Sequence, residues 1–490
     1  MNEQTGDGPL LGGDPVTTLA QYLARGGGAG LAAARGLGPT LAIRELRLSA
    51  LRGRGGAGFP TAVKWASIRT AAEPADHCYV VCNGAEGEPG TFKDRAIFRH
   101  NPYQVIEGLA IAAFCVGATR AFLAIKKTFN REIALVSRAL REMTEAGMLG
   151  SVPITIVEGP DSYLFGEEKA LLEVVEGEDP LPRRFPPYIH GLFATGPQMG
   201  WSAHPDAAAA GAGAGAGGSG EGGAGAGGSG VAAANPTLVN NVETLASAAH
   251  ILARGPEWYR SFGTEESPGT MVFTVVGDVV HPGYAELPLG ISLREVISHV
   301  GGGVAPGRTI KAVFSGVSNA VITGAALDAP CSYEGLRAIG SGLGAAGFIV
   351  YDDTADMVAV ARMWSRFLYV ESCGQCSACK LNSGEITARL ERLEDGLASI
   401  SDVNEIGGLL QQVTDQNRCF LPEEEQTVVS SVMRAFPEEF VEHLDRRIVA
   451  RREYVVPKIV DLADGRVVYD KRIMLKQPDW TYQTVRSLAG

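Results

Sequence analysis

Apolar and polar positions fall into short runs whose period changes along the chain. Glu45 to Leu51 has helical spacing and runs into the glycine stretch "RGRGGAGFP". "CYVVCNGAEGEPGTFKDR" (78–95) opens as a buried strand and continues as a polar loop. The apolar stretch 105–118 predicts a helix, 120–127 a strand, the amphipathic stretch 131–147 a helix with a Gly stop, and 153–160 another strand. Strands alternating with helices predict an α/β sheet with parallel members. Residues 1–35 are rich in Gly and Ala and read as a loose lead-in.

Residues 207–234 are almost wholly Ala and Gly, cannot build a core, and read as a disordered insertion or surface loop. After it, "MVFTVVGDV" and "IKAVFSG" read as strands around the helix "SLREVISHVGGG", and "GAAGFIVYD" ends a small α+β unit. From Ala355 to Arg452 the pattern is mainly helical. Asp464-Gly465 between alternating apolar residues predicts a hairpin near the end.

The 490 residues, 45% of them hydrophobic, suffice for several domains. The net charge of −12 argues against a nucleic-acid partner, because no basic surplus is available to neutralise phosphates. No apolar run reaches transmembrane length and the N-terminus lacks the features of a secretory signal, so the expected compartment is the cytoplasm. Disulfides are rare there, and the eight cysteines then divide into buried packing residues and metal ligands. Cys373, Cys376 and Cys379 form a C-x2-C-x2-C run, and Cys419, in a loop of the same helical segment, is the best fourth ligand. Three close thiolates with a distant fourth suit an iron–sulfur cubane. Structural zinc, whose ligands usually come as two pairs, fits this spacing less well. Cys78, Cys82 and Cys115 sit in apolar contexts and read as packing residues, while Cys331 has no clear role.

"GRGGAG" (Gly53 to Gly58) matches G-x-G-x-x-G, but a helical stretch precedes it, so the strand-first dinucleotide unit is not supported. The loop can still receive a phosphate, with Pro60 and Thr61 opening a helix and Arg54 and Lys64 adding mobile positive charge. The second loop puts Asn83, Glu86 and Glu88 beyond a strand's carboxyl end, where carboxylates suit the edge of a ring or a ribose rather than a phosphate. Glu167 and Glu168 begin a helix, where one of them serves the helix dipole. Asn240 and Asn241 precede another helix; side-chain amides suit a heterocycle, although one of them can act as N-cap.

Taken in order, "GRGGAGFPTAVKW", "CNGAEGEPGTFKDR", "GEEKALLEVVEG", "TLVNNVET" and "ESCGQCSACK" with Cys419 resemble the family of flavin/NADH-binding F-type subunits of respiratory complex I and of related NAD-linked hydrogenases and formate dehydrogenases. The resemblance runs from about residue 40 to 450. It implies a Rossmann-like FMN domain, a ubiquitin-like SLBB (β-grasp) domain and a C-terminal helical bundle carrying a [4Fe-4S] cluster. The division expected is a lead-in at 1–35, the FMN/NADH domain at 36–265, the SLBB domain at 266–352, the cluster domain at 353–452 and a hairpin and tail at 453–490. By the family's pattern FMN would be held by Gly53, Arg54, Gly55, Gly56, Lys64, Asn83, Glu86, Tyr163, Gly166, Glu167, Val239, Asn240, Asn241 and Thr244, with NADH near Phe59, Glu88 and Glu168. Hydride would pass from NADH to FMN and electrons singly to the cluster, with no side chain required as a general base. An iron–sulfur acceptor protein, either a thioredoxin-like [2Fe-2S] subunit or a ferredoxin, would take them on. Two departures bear on the nucleotide. Ala85 stands where the family carries an acidic residue, and Phe185, beside Arg184, stands where it carries a lysine. They motivate the alternatives of a non-catalytic iron–sulfur scaffold or a ferredoxin-linked flavoprotein.

Overall fold

Strict alternation along the first strands sorts their side chains onto two faces. In β1 (Tyr79–Gly84), Val80 and Cys82 join one apolar cluster while Tyr79 and Val81 join another. β2 (Arg120–Lys126) does the same, Leu123 and Ile125 going one way and Phe122 and Ala124 the other. With β3 (Ile154–Gly159) and β4 (Thr237–Asn241) these make a parallel sheet in the order β3-β2-β1-β4. The computed structural model describes residues 8–73, 75–195, 234–445 and 452–482. The Ala/Gly insertion expected at 207–234 lies, but for its last residue, outside the described residues.

The helices Pro102–Val116 and Val242–Arg254 pack together over the first face, and Glu168–Glu176 covers the second. The lead-in expected over residues 1–35 is structured from Gly8 onward, with helices Leu19–Ala24 and Ala29–Leu37. Leu10, Leu11, Val16, Tyr22 and Leu31 enter the first core. Some of the small residues that suggested looseness are packing choices: a Cβ on Gly30 would strike the carbonyl of Ala249, and one on Gly27 the ring of Tyr22.

The second sheet has five strands, β5 (Thr270–Gly277), β6 (Gly283–Pro288), β7 (Ile310–Ser315), β8 (Ile322–Thr323) and β9 (Gly347–Asp352), in the order β6-β5-β9-β7-β8. Of its pairs only β5–β9 is parallel. The helix Leu293–Gly301, started by a Ser292/Glu295 capping box, fills one face. The other face, with Phe314, Ile349 and Tyr351, packs on a bundle of the helices Met357–Glu371, Ser377–Glu394, Ile400–Gln412, Leu421–Ala435 and Pro437–Leu444. A hairpin of β10 (Ile459–Ala463) and β11 (Arg466–Tyr469) turns at Asp464 and Gly465, both at positive φ, as that dipeptide predicts. Among the described residues no helix is long and apolar enough to cross a membrane.

Candidate cofactor and cluster site

The strand order reverses between β1 and β4, so the crevice beyond their carboxyl ends is the topological switch point of the first sheet. Register pairs Cys82 with Asn240 and Asn83 with Asn241, which brings the two polar loop starts side by side. A cavity of about 620 Å³ opens there, a volume suited to a small-molecule cofactor. Every predicted cofactor residue except Arg54 lines it.

Arg54 departs from the expected mobile charge. Its guanidinium is fully buried and donates to the hydroxyls of Tyr259 (2.7 Å) and Tyr333 (3.2 Å) and to the carbonyl of Thr270, while its backbone N–H donates to Thr244 Oγ1 (2.8 Å). It fastens the glycine loop to the second sheet. Lys64 stands at the rim and pairs with Glu168 at 2.7 Å. Gly56 has φ +121°, and no atom lies within 4 Å of a Cβ built on it, so the loop's backbone borders open space.

The two asparagines divide the roles between them. Asn241 N-caps the helix Val242–Arg254, accepts from Lys93 Nζ (2.8 Å) and donates to Asp94 (2.8 Å), so both ends of its amide are used inside the protein. Asn240 gives its oxygen to Trp65 Nε1 (2.6 Å) and keeps its NH2 for the cavity. Asn83 ties the loops together, donating to Gly166 O and accepting from the N–H of Ala85. Glu86 does not offer the free ring-edge carboxylate expected of it. Its oxygens take the N–H of Asp94 (3.0 Å) and Arg95 Nε (2.8 Å).

Burial raises four further acids of the site. Desolvation pushes Glu167 up to about 7, although Lys169 and two backbone N–H groups oppose the shift. It is the N-cap of the helix Glu168–Glu176, as one member of that pair was expected to be. Asp94 rises to about 6 by burial despite Lys93 beside it. Glu88 and Glu424 are both raised, again by burial first, and share the hydroxyl of Tyr163.

Behind this wall, Cys373, Cys376, Cys379 and Cys419 line a second, small cavity with Leu164, Leu421 and Pro422. Cys376 caps the helix Ser377–Glu394, Cys379 lies in its first turn, and Cys419 precedes the helix Leu421–Ala435, so two helix N-termini favour negative charge there. Lys380 Nζ holds the ligand loop through the carbonyls of Tyr369, Ser372 and Pro478. Burial pushes Cys379 up to about 12 and raises Cys373 and Cys419 as well, so metal binding at these three would release protons. Among the described residues no three acids, histidines or cysteines are gathered closely enough to hold a single ion. Ser372, Gly374 and Arg418 complete the lining, and four thiols around one small cavity fit the donor set of an iron–sulfur cluster. Cys78, Cys82, Cys115 and Cys331 are buried packing thiols.

The second sheet and the bundle bring residues that no local pattern marked: Ser318, Asn319, Tyr333, Arg337, the loop 341–345 and Glu424. Phe185 and Arg184 do not line the cavity.

Three family matches cover the chain: the Nuo51 FMN-binding domain at residues 46–250, an SLBB domain at 272–316 and the NADH-ubiquinone oxidoreductase-F iron-sulfur binding region at 359–443. An F-type NADH-quinone oxidoreductase subunit of Rhizobium meliloti is 36% identical over 88% of this chain and 95% of its own. The NADP-reducing hydrogenase subunit HndC of Solidesulfovibrio fructosivorans is 32% identical over 88% of this chain and 81% of its own. A crystal structure of an NAD+-reducing [NiFe]-hydrogenase in the air-oxidized state superposes with a TM-score of 0.70 at 27% identity, covering 90% of this chain and 68% of that one.

Proposed function

The chain belongs to the family of F-type subunits of NADH-quinone oxidoreductases, and from that premise we propose that the switch-point cavity holds FMN and admits NADH, with the four cysteines taking the cluster behind its wall. The protein is an NADH-oxidising electron-transfer flavoprotein. When bound, flavin accepts a hydride as an electron pair and releases electrons singly to the cluster. The observation that carries this reading is the shared wall: Leu164, Cys419 and Leu421 line both cavities, so one cluster ligand borders the flavin site.

The residues present fit an FMN. The open backbone at Gly56 leaves room for a phosphate, and the Asn240 NH2 offers a donor to a heterocycle. Phe59, half exposed at the mouth, offers a face to a flat base. The Lys64–Glu168 pair lies at the rim, where a nucleotide phosphate or ribose competes for either member. These features favour a flavoenzyme over an iron–sulfur scaffold. The loss of an acid at Ala85 removes one acceptor, while the N–H of Ala85 still braces Asn83. The electron acceptor is an iron–sulfur protein, in keeping with relatives named as subunits. All eight cysteines are free thiols, which suits the reducing cytoplasm.

The test is an absorption spectrum of protein purified without oxygen, before and after NADH. Flavin bands over a broad iron–sulfur shoulder, bleaching with NADH, are expected. Iron and sulfide without flavin, or a flavin that ignores NADH, would sink the reading.

A further inference from the structure

Glu88, Tyr163 and Glu424 meet at one hydroxyl. Tyr163 Oη lies 2.9 Å from Glu88 Oε2 and 3.0 Å from both carboxyl oxygens of Glu424. A phenol has one hydrogen to donate, so it cannot satisfy two ionised carboxylates. One acid must hold a proton and donate it to the phenol oxygen. Glu88 has further donors, the N–H of Val317 at 2.7 Å and the Ser318 hydroxyl at 3.5 Å, which stabilise its ionised form. Among the described residues Glu424 has no hydrogen-bond donor besides Tyr163, and it is 7% exposed. Its strongest electrostatic neighbours are acidic: Glu88 after β1, Glu167 at a helix N-cap, and Glu423 on its own helix. The ring of Tyr163 is fixed edge-on by Phe367, and its backbone N–H by Glu371, which Lys476 neutralises.

We propose that Glu424, Tyr163 and Glu88 form a one-proton relay, with Glu424 storing the proton and Glu88 presenting it to the cofactor cavity that all three line. In the resting arrangement Glu424 donates to Tyr163 and Tyr163 to Glu88. A shift toward the cavity breaks the O–H bonds of Glu424 and Tyr163 and forms new ones at Tyr163 and Glu88; no electron moves. The reverse shift returns the proton. The need for it rests on the function proposed above, because a hydride taken apart into two single electrons releases one proton, which the reverse shift carries from Glu88 to an emptied Glu424, and a hydride assembled from them consumes the proton that the forward shift supplies. Glu424 acts through Tyr163 and is therefore a positioning residue rather than a catalytic one.

Infrared spectra of the full chain without added cofactor, at neutral pH, test the store directly. The parent minus Glu424→Gln difference is expected to contain one buried carboxylic-acid carbonyl band; its absence overturns the proposal. Tyr163→Phe provides a second readout should the first variant fail to fold. The band is expected to persist but move, because the acid has lost its acceptor, and an unmoved band also overturns the relay. In flavin-loaded protein the pH profile of bleaching by NADH is expected to show two ionisations in the parent and one in Glu424→Gln; identical profiles would count against it. A parent that holds flavin but ignores NADH refutes the function and leaves the infrared comparison to decide the relay.

Discussion

At Cys419 a single side chain serves two cavities, which makes it the most informative residue to change. Cys419→Ala is expected to abolish iron and acid-labile sulfide while flavin stays bound, because contacts from β1, β4 and the glycine loop remain on the flavin side. Normal iron content in that variant would show the fourth ligand to be elsewhere. The asparagine pair shows the limit of reading residues by type. Two adjacent amides look equivalent in sequence, yet the turn into the helix Val242–Arg254 consumes Asn241 as a cap and frees Asn240. Glu86 and Arg54 make the same point. Both sit in glycine-loop motifs, but each turns to a buried partner.

Among the elements, the N-terminal segment was the least legible. Its order comes from acids elsewhere that accept its backbone N–H groups. Glu286 on β6 takes Leu10 at 2.7 Å and Leu11 at 2.9 Å, and also accepts from Thr270. Burial pushes Glu286 up to about 7. A carboxyl raised in the folded state favours folding most below its unfolded pKa, and that contribution fades as pH rises through the folded value. The window is therefore about 4.5 to 7, and the effect is roughly 3 kcal/mol. Glu286→Gln keeps an acceptor for the two N–H groups and cannot ionise. Relative to the parent it is expected to gain stability as pH rises across that window, as followed by denaturant unfolding. A parallel pH dependence in both proteins would refute the assignment. The helices and strands with clear periods were legible throughout, because one buried face per element suffices to set them.

At the scale of the molecule, the second sheet is bound to the flavin loop by buried polar contacts. Arg54 links the loop to Tyr259, Tyr333 and Thr270, and Glu243 accepts the N–H of Val272 while lying 3.4 Å from Lys93. Arg54→Met leaves two buried phenols and a carbonyl without their donor. The expected cost is about 2–4 kcal/mol with weaker flavin retention, read from thermal melts and from flavin lost on gel filtration. Unchanged melting and retention would show that the clamp carries no load. The C-terminal strand pair closes the assembly: Arg95 donates to the carbonyl of Ile459, Arg99 pairs with Asp461, and Lys476 with Glu371.

By itself the sequence determined the element order, the alternation that builds the first sheet, the cysteine triplet and the glycine loops, since each depends on near neighbours or on spacing along the chain. Only the tertiary structure decided which polar groups remain free. The chain folds Tyr333, Arg337 and the loop 341–345 over the cavity from the second sheet, and Glu424 onto Tyr163 from the bundle. It also spends Glu86, Asn241 and Arg54 on internal contacts. Hydrogen-bonding capacity is finite, and whether a side chain offers it to a ligand or to the protein is settled by what the fold places within about 3 Å of it.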